Sequence, residues 1–376
     1  MTQALVIGGG PAGAGLATRL ARAGRDVVLV EREAGPVDKV CGEFLSREAG
    51  LYLASLGLDL SALGAVSIEA VRLVARSGHV ATVRLPFVAT SLSRRILDEA
   101  LLGRAAAAGA TIRRGVRVDG LARTQAGWAA RLADGSSLEA KAAFLATGKH
   151  DLRGHKRPAG RQNDLVAFKL HWQLAARQAA ELGSCVELLM FDGGYAGLQR
   201  IENGKANLCL VVRRDTLRSH GQRWDRLLVA LRAESAHLNA RLMDGVPCWP
   251  RPLALTAIPY GYVRRHSDGL WCLGDQAAVI PSFSGDGISI ALHSAELAAT
   301  TYLEGRDADA YQQRLARDVR VQMLLATLLS QGLVRRPAQA MLGAAARLWP
   351  GLMSSVAFHT RVSDAALSHR VLSSQT

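Results

Sequence analysis

An apolar run, Ala4-Leu5-Val6-Ile7, breaks directly into Gly8-Gly9-Gly10-Pro11-Ala12-Gly13. A helical pattern follows, and a second apolar run, Val27-Val28-Leu29-Val30, ends in Glu31-Arg32. This strand–turn–helix–strand context constrains the chain more than any other feature. Gly8 permits the tight turn out of the strand, Gly10 leaves no side chain between backbone and a pyrophosphate, and Gly13 lets helix and strand approach closely. The helix start offers free N–H groups and a positive dipole end to phosphate. Glu31 lies 18 residues past Gly13, close to the roughly 20 at which a carboxylate meets ribose hydroxyls. The segment therefore reads as a dinucleotide cradle. Glu31 favours a free 2′-hydroxyl, hence FAD or NAD rather than NADP. The motif alone does not separate those two.

The chain has 376 residues, room for two domains or for one with a large insertion. Its formal net charge is +14, from 40 Arg and 6 Lys against 32 acids. The basic residues are scattered, and no basic run reaches five. Aromatics make up 5% of the chain. That pattern argues against a nucleic-acid partner. Five cysteines, at 41, 185, 209, 248 and 272, form no C-x-x-C. Their odd number and wide spacing argue against a disulfide framework or a zinc site and suit a reducing cytoplasm. The first strand begins at once, leaving no room for a signal peptide, and no apolar run reaches the roughly 18 residues of a spanning helix. A cytoplasmic protein is expected, with peripheral membrane contact left open.

Along the chain, residues 4–8, 12–24 and 26–31 read as strand, helix, strand. Residues 34–42 form a loop, and 45–56 a helix. Alternating stretches at 68–75 and 79–85 flank Arg76-Ser77-Gly78, a hairpin signal. A helix follows Ser93, then strands at 111–118, 128–132, 137–140 and 143–148. Residues 164–213 are strand-rich, 222–243 helical, 253–263 extended. Gly269–Gly274 is a short strand, Gly287–Leu303 a helix, and 308–348 helical with a break at Pro337. Pro350-Gly351 opens a last segment. The expected fold is α/β: a parallel-sheet cofactor domain interrupted by a mostly antiparallel β-sheet substrate domain, with a helical C-terminal segment. The expected boundaries are 1–66, 91–162 and 256–306 for the cofactor domain, 67–90 and 163–255 for the substrate domain, and 307–376 for the last segment.

Three segments together resemble a known family. They are the glycine cradle with Glu31, the run Ser93-Arg94-x-x-Leu97-Asp98-x-x-Leu101, and Gly269–Ala278 continued by Pro281-Ser282-Phe283-Ser284-Gly285-Asp286-Gly287. The set resembles the glutathione-reductase-type, Rossmann-like FAD fold of p-hydroxybenzoate hydroxylase and its relatives. These include ubiquinone-pathway hydroxylases, flavin halogenases and geranylgeranyl reductases. Lys39-Val40-Cys41-Gly42-Glu43-Phe44 is similar to a segment of the geranylgeranyl reductase branch. The resemblance implies FAD, with Gly274 and Asp275 at its ribityl hydroxyls and Arg94 near its pyrophosphate. It implies that Pro281, Gly285, Asp286, Gly287 and Ile288 bring a helix start to the flavin ring. Reduced flavin carries negative charge there, which N–H groups and a helix dipole stabilise.

The resemblance also implies NAD(P)H as a transient reductant. The Asp-Gly pair that many hydroxylases carry shortly after the strand that closes over the cofactor is missing from Ala146-Thr147-Gly148-Lys149-His150-Asp151-Leu152-Arg153-Gly154, which weakens transfer of their nicotinamide site. Lys149, His150 and Arg153 are either phosphate contacts or a solvated basic loop. Cys41 is either a thiol that tunes the flavin or a small buried hydrophobe. Alternation along Val166–Trp172 puts Lys169 and His171 on one face. That face meets either solvent or the flavin, where His171 would shuttle a proton and Lys169 would bind an anion. Tyr195, Tyr260 and Tyr262 are further pocket candidates. No second glycine cradle of comparable context follows, and no metal site is expected.

The first expectation is a single-component monooxygenase hydroxylating an aromatic or polyketide-like small molecule. The alternative is a flavin reductase of isoprenoid or lipid double bonds, supported by Cys41-Gly42. Halogenation is a minor option, because Cys248-Trp249-Pro250 does not fit the tryptophan-halogenase run W-x-W-x-I-P.

Overall fold

The computed structural model describes residues 1–341 and residue 361. Two sheets organise it. In the first, Thr111–Arg114, Val27–Glu31, Thr2–Ile7 and Ser137–Leu145 lie side by side and parallel, and Trp271–Cys272 adds to the last of these. Leu5 sits opposite both Val28 and Ala143. The central strands are buried on both faces, as parallel strands covered by crossover helices are. Pro11–Arg22 packs against Gly287–Leu303 and Arg94–Ala107. The antiparallel hairpin Val118–Thr124 and Gly127–Leu132 extends this sheet.

The second sheet runs Val246–Pro247, Leu165–Gln173, Ala206–Arg213, Gly194–Arg200, Cys185–Phe191, Val66–Val74, Val80–Ser91 and Phe44–Leu45. It is antiparallel except where Cys185–Phe191 meets Val66–Val74. One face buries Phe168, Leu170 and Trp172 against the helices that carry Leu227, Leu231 and Leu238. The other face looks toward the first sheet. Phe44–Leu45 pairs with Thr90 and Ser91, so the loop leading into it ties the glycine cradle to the second sheet.

The helical stretch expected at 222–243 divides at Ser235 into Trp224–Glu234 and Ala236–Arg241, because the Ser235 hydroxyl accepts the Leu238 N–H and caps a new helix. The stretch from 308 breaks at Val319, giving Ala308–Asp318 and Arg320–Leu333. The segment opened by Pro350-Gly351 lies outside the described residues. Among the described residues no helix is long and apolar enough to cross a membrane.

Candidate active site

The glycine turn is shaped for close approach. Gly8 has φ +108°, and a Cβ there would stand 2.4 Å from the Ala146 carbonyl oxygen. A Cβ on Gly13 would stand 1.9 Å from the Gly8 carbonyl oxygen. No side chain fits either position. A Cβ on Gly10 would face the Arg94 guanidinium at 3.2 Å. Glu31 is buried and accepts the Gly9 N–H at 2.6 Å, so its carboxylate is fixed at the end of the second strand.

Two adjoining cavities meet at this turn. The first, of about 1000 Å³, is lined by Gly8, Glu31, Arg32, Arg117, Thr147 and His150. The second, of about 340 Å³, is lined by Pro11, Ala12, Cys41, Gly285, Gly287 and Ile288. Gly10, Val40, Arg94, Lys149 and Asp275 border both. The structure thus brings the amino-terminal cradle and the Gly274–Ile288 segment, far apart in sequence, to one continuous groove.

Arg94 holds Asp98 through two bonds of 2.7 and 2.8 Å, and Lys39 reaches the same carboxylate at 2.9 Å. Burial works against the Asp98 charge, but the two cations outweigh it and hold its pKa below the ordinary carboxylate value. Burial likewise opposes the Arg94 charge, and Asp98 more than restores it. A fixed cation therefore faces the glycine turn, where a pyrophosphate needs one. Lys149 donates to the Val40 carbonyl at 2.7 Å. Arg157 donates to the Asp275 carbonyl at 2.7 Å, leaving the Asp275 backbone pinned beside both cavities.

At the other end, Gly285 has φ +69°, and a Cβ there would meet the Phe44 ring at 2.7 Å. The helix Gly287–Leu303 starts directly at the cavity. Two expected residues stand off from it. Asp286 is fully buried, with the Ser46 hydroxyl 3.4 Å and the Arg361 guanidinium 3.8 Å from its Oδ1. Pro281 is also buried and opens the short turn Ser282–Ser284. Neither lines the groove, and Gly13 acts from behind it as a packing position. Arg361, which no sequence motif marks, lies over the rings of Phe44 and Phe87 and lines the cavity.

Lys169 and His171 do share a face, but it is not a solvent face. Lys169 is 0% exposed and donates to Glu43 Oε1. His171 Nε2 lies 2.7 Å from Glu43 Oε2. Glu43 is itself fully buried, has φ +58°, and also accepts the Arg94 N–H at 2.8 Å. Burial opposes its charge, yet His171 and Lys169 hold its pKa below the ordinary value. Glu43 carries one weak sequence signal, its place in the Cys41-Gly42-Glu43-Phe44 run, and sequence reasoning missed its role. Cys41 is half-buried, and its Sγ accepts the Glu43 N–H at 3.3 Å.

The far wall of the second cavity is aliphatic. Val71, Leu73, Val186, Leu188 and Met190 come from the second sheet, and Leu333 from a helix. Tyr195 and Tyr260 line it with their hydroxyls on Ser282 at 3.0 and 3.1 Å; Tyr262 does not reach it. Burial pushes the Tyr195 phenol up to about 12 and the Cys209 thiol up to about 12. These groups stay neutral near pH 7.

A family model described as an FAD binding domain matches residues 1–147. The menaquinone reductase of Mycolicibacterium smegmatis is 30% identical over 353 residues, covering 87% of this chain and 84% of that protein. The digeranylgeranylglycerophospholipid reductase of Methanoculleus marisnigri is 27% identical over 321 residues, covering 78% and 75%. Among solved structures, a flavin-dependent brominase superposes with a TM-score of 0.79 at 19% identity, covering 95% of this chain and 92% of that one. That likeness concerns the fold. The sequence match, the glycine cradle and the continuous groove agree, and the chain belongs to the FAD-dependent oxidoreductase enzymes of the p-hydroxybenzoate hydroxylase and geranylgeranyl reductase superfamily.

Proposed function

We propose that this enzyme reduces carbon–carbon double bonds in a long isoprenoid chain. The observation that carries the reading is the aliphatic wall facing Gly285 and Ile288 across the second cavity. Such a wall rewards an apolar chain. The two sequence relatives support it, since both are named as reductases of lipids built on isoprenoid chains. This reading puts alkene reduction ahead of the hydroxylation expected from the sequence.

Bound FAD supplies the electron pair. In this proposal the Gly8–Gly13 turn, with Pro11, Ala12 and Arg94, holds the pyrophosphate. Glu31 and Arg32 flank the adenosine ribose, Asp275 holds the ribityl arm, and Gly285–Ile288 face the ring. Gly10, Gly285 and Gly287 line the groove without a side chain, which suits a flat, anionic group lying against backbone. Lys149, His150 and Arg153 border the open groove, on the path of a nicotinamide donor. The protein's own part is to orient the alkene and exclude water.

Reduced holoenzyme, mixed without oxygen with a polyprenyl quinone, is expected to yield product that, after any quinol is re-oxidised to quinone, still carries two added hydrogens per reduced bond by mass spectrometry. Addition of oxygen atoms in air, with no anaerobic product, contradicts alkene reduction and restores the hydroxylase reading.

A further inference from the structure

Hydride-type reduction of an alkene leaves one proton unaccounted for, and a buried cluster lies where that proton must enter. Glu43 Oε2 is 2.7 Å from His171 Nε2. On the other side of the ring, His171 Nδ1 is 3.8 Å from Asp38 Oδ1. The imidazole therefore turns one nitrogen toward each carboxylate. Side-chain exposure falls from 20% at Asp38 through 4% at His171 to 0% at Glu43. Asp38 lines the open groove and Glu43 the apolar cavity, so the two ends of the row face different spaces. Asp38 Oδ1 is buried and has no hydrogen-bond partner. Asp38, Glu43 and His171 stand close enough to share a cation, and Lys169 supplies it: its ammonium bonds Glu43 and lies 3.7 Å from Asp38. The Trp249 ring packs 4.8 Å from His171 and limits its tilt.

We propose that Asp38, His171 and Glu43 form a proton relay from the open groove to the apolar cavity, with Lys169 positioning both carboxylates. The inference rests on the alkene-reduction reading. FAD, when bound and reduced by a two-electron donor of the nicotinamide class, would supply the double bond with two electrons and one hydrogen. The second hydrogen arrives as a proton. Glu43, a carboxylate beside Lys169 at rest, takes the proton from His171 Nε2 and releases it as the new C–H bond forms, which restores the carboxylate. His171 regains a proton at Nδ1 from Asp38, which draws it from water in the groove. A histidine between two carboxylates suits this transfer because either ring nitrogen can donate or accept.

The test uses full-length, FAD-loaded enzyme, and its first arm needs no alkene. Two-electron photoreduction of bound flavin creates a proton demand in the cavity that the same relay meets from solvent, and an indicator dye follows the uptake in time. In the wild type, uptake is expected to keep pace with reduction. Asp38→Asn and His171→Gln are expected to slow uptake by at least about ten-fold, and Glu43→Gln to lower alkene turnover about a hundred-fold. Uptake within two-fold of wild type in both Asp38→Asn and His171→Gln overturns the relay, whatever becomes of Glu43→Gln. Relay-dependent uptake in an enzyme that saturates no alkene keeps the relay and removes the substrate reading. Alkene reduction with unaltered uptake in the variants does the reverse.

Discussion

Gly13→Ala yields a protein that no longer takes up FAD and is destabilised by more than about 3 kcal/mol. The added methyl would lie 1.9 Å from the Gly8 carbonyl oxygen, and the next atoms it meets belong to the Gly8 backbone and Ala146. No flexible side chain is there to move aside. Relief requires the first helix to withdraw from the first strand, which opens the cradle. Gly103→Ala is the matched control. It lies in the exposed part of the helix Arg94–Ala107, where an added methyl meets nothing within 4 Å, and is expected to gain up to about 1 kcal/mol. Urea midpoints and flavin absorbance after reconstitution read both. A Gly13→Ala protein that binds flavin within two-fold of wild type contradicts the packing argument.

The cradle was legible in the sequence because its parts are local. Turn, helix start and closing acid all fall within residues 4–31, and each is demanded by backbone geometry. Asp275 and Gly285 were legible for a similar reason, as short strand-end and loop patterns carried by a family resemblance. The charged cluster was not. Lys169 and His171 lie 126 and 128 residues from Glu43, and nothing local distinguishes a buried polar face from a wet one. Alternation placed the two side chains on one face of their strand. It took the pairing of Phe44–Leu45 with Val80–Ser91 to bring a carboxylate over that face. Asp286 illustrates the opposite outcome: the motif positions its loop correctly, but the side chain turns away from the cavity into Ser46.

Glu43→Ala is expected to cost about 3–5 kcal/mol, because it leaves the fully buried Lys169 ammonium with only the more distant Asp38 carboxylate, at 3.7 Å. The His171 Nε2 partner and the acceptor for the Arg94 N–H disappear with it. The Glu43→Ala/Lys169→Met double variant should recover about 1–3 kcal/mol relative to the sum of the single changes, since it removes the orphaned charge. Thermal or urea unfolding of the four proteins closes the cycle. Additive losses contradict a coupled buried pair.

The same pair makes stability depend on acid in a defined direction. Glu43 is ionised in the folded protein at pH values where the unfolded chain already binds a proton. Its contribution is therefore complete above the ordinary carboxylate range and is lost as pH falls through the lowered folded value. Glu43→Gln should flatten the acid limb of the stability profile.

A structure of the protein with FAD bound tests the central claim most directly. The account predicts one flavin spanning both cavities. Its pyrophosphate lies on Gly10 beside Arg94, its adenosine ribose near Glu31, its ribityl arm at Asp275, and its ring against Gly285–Ile288 with the aliphatic wall opposite. A flavin ring lying outside the Cys41–Gly285 cavity, or a dinucleotide seated away from the Gly8–Gly13 turn, would contradict it.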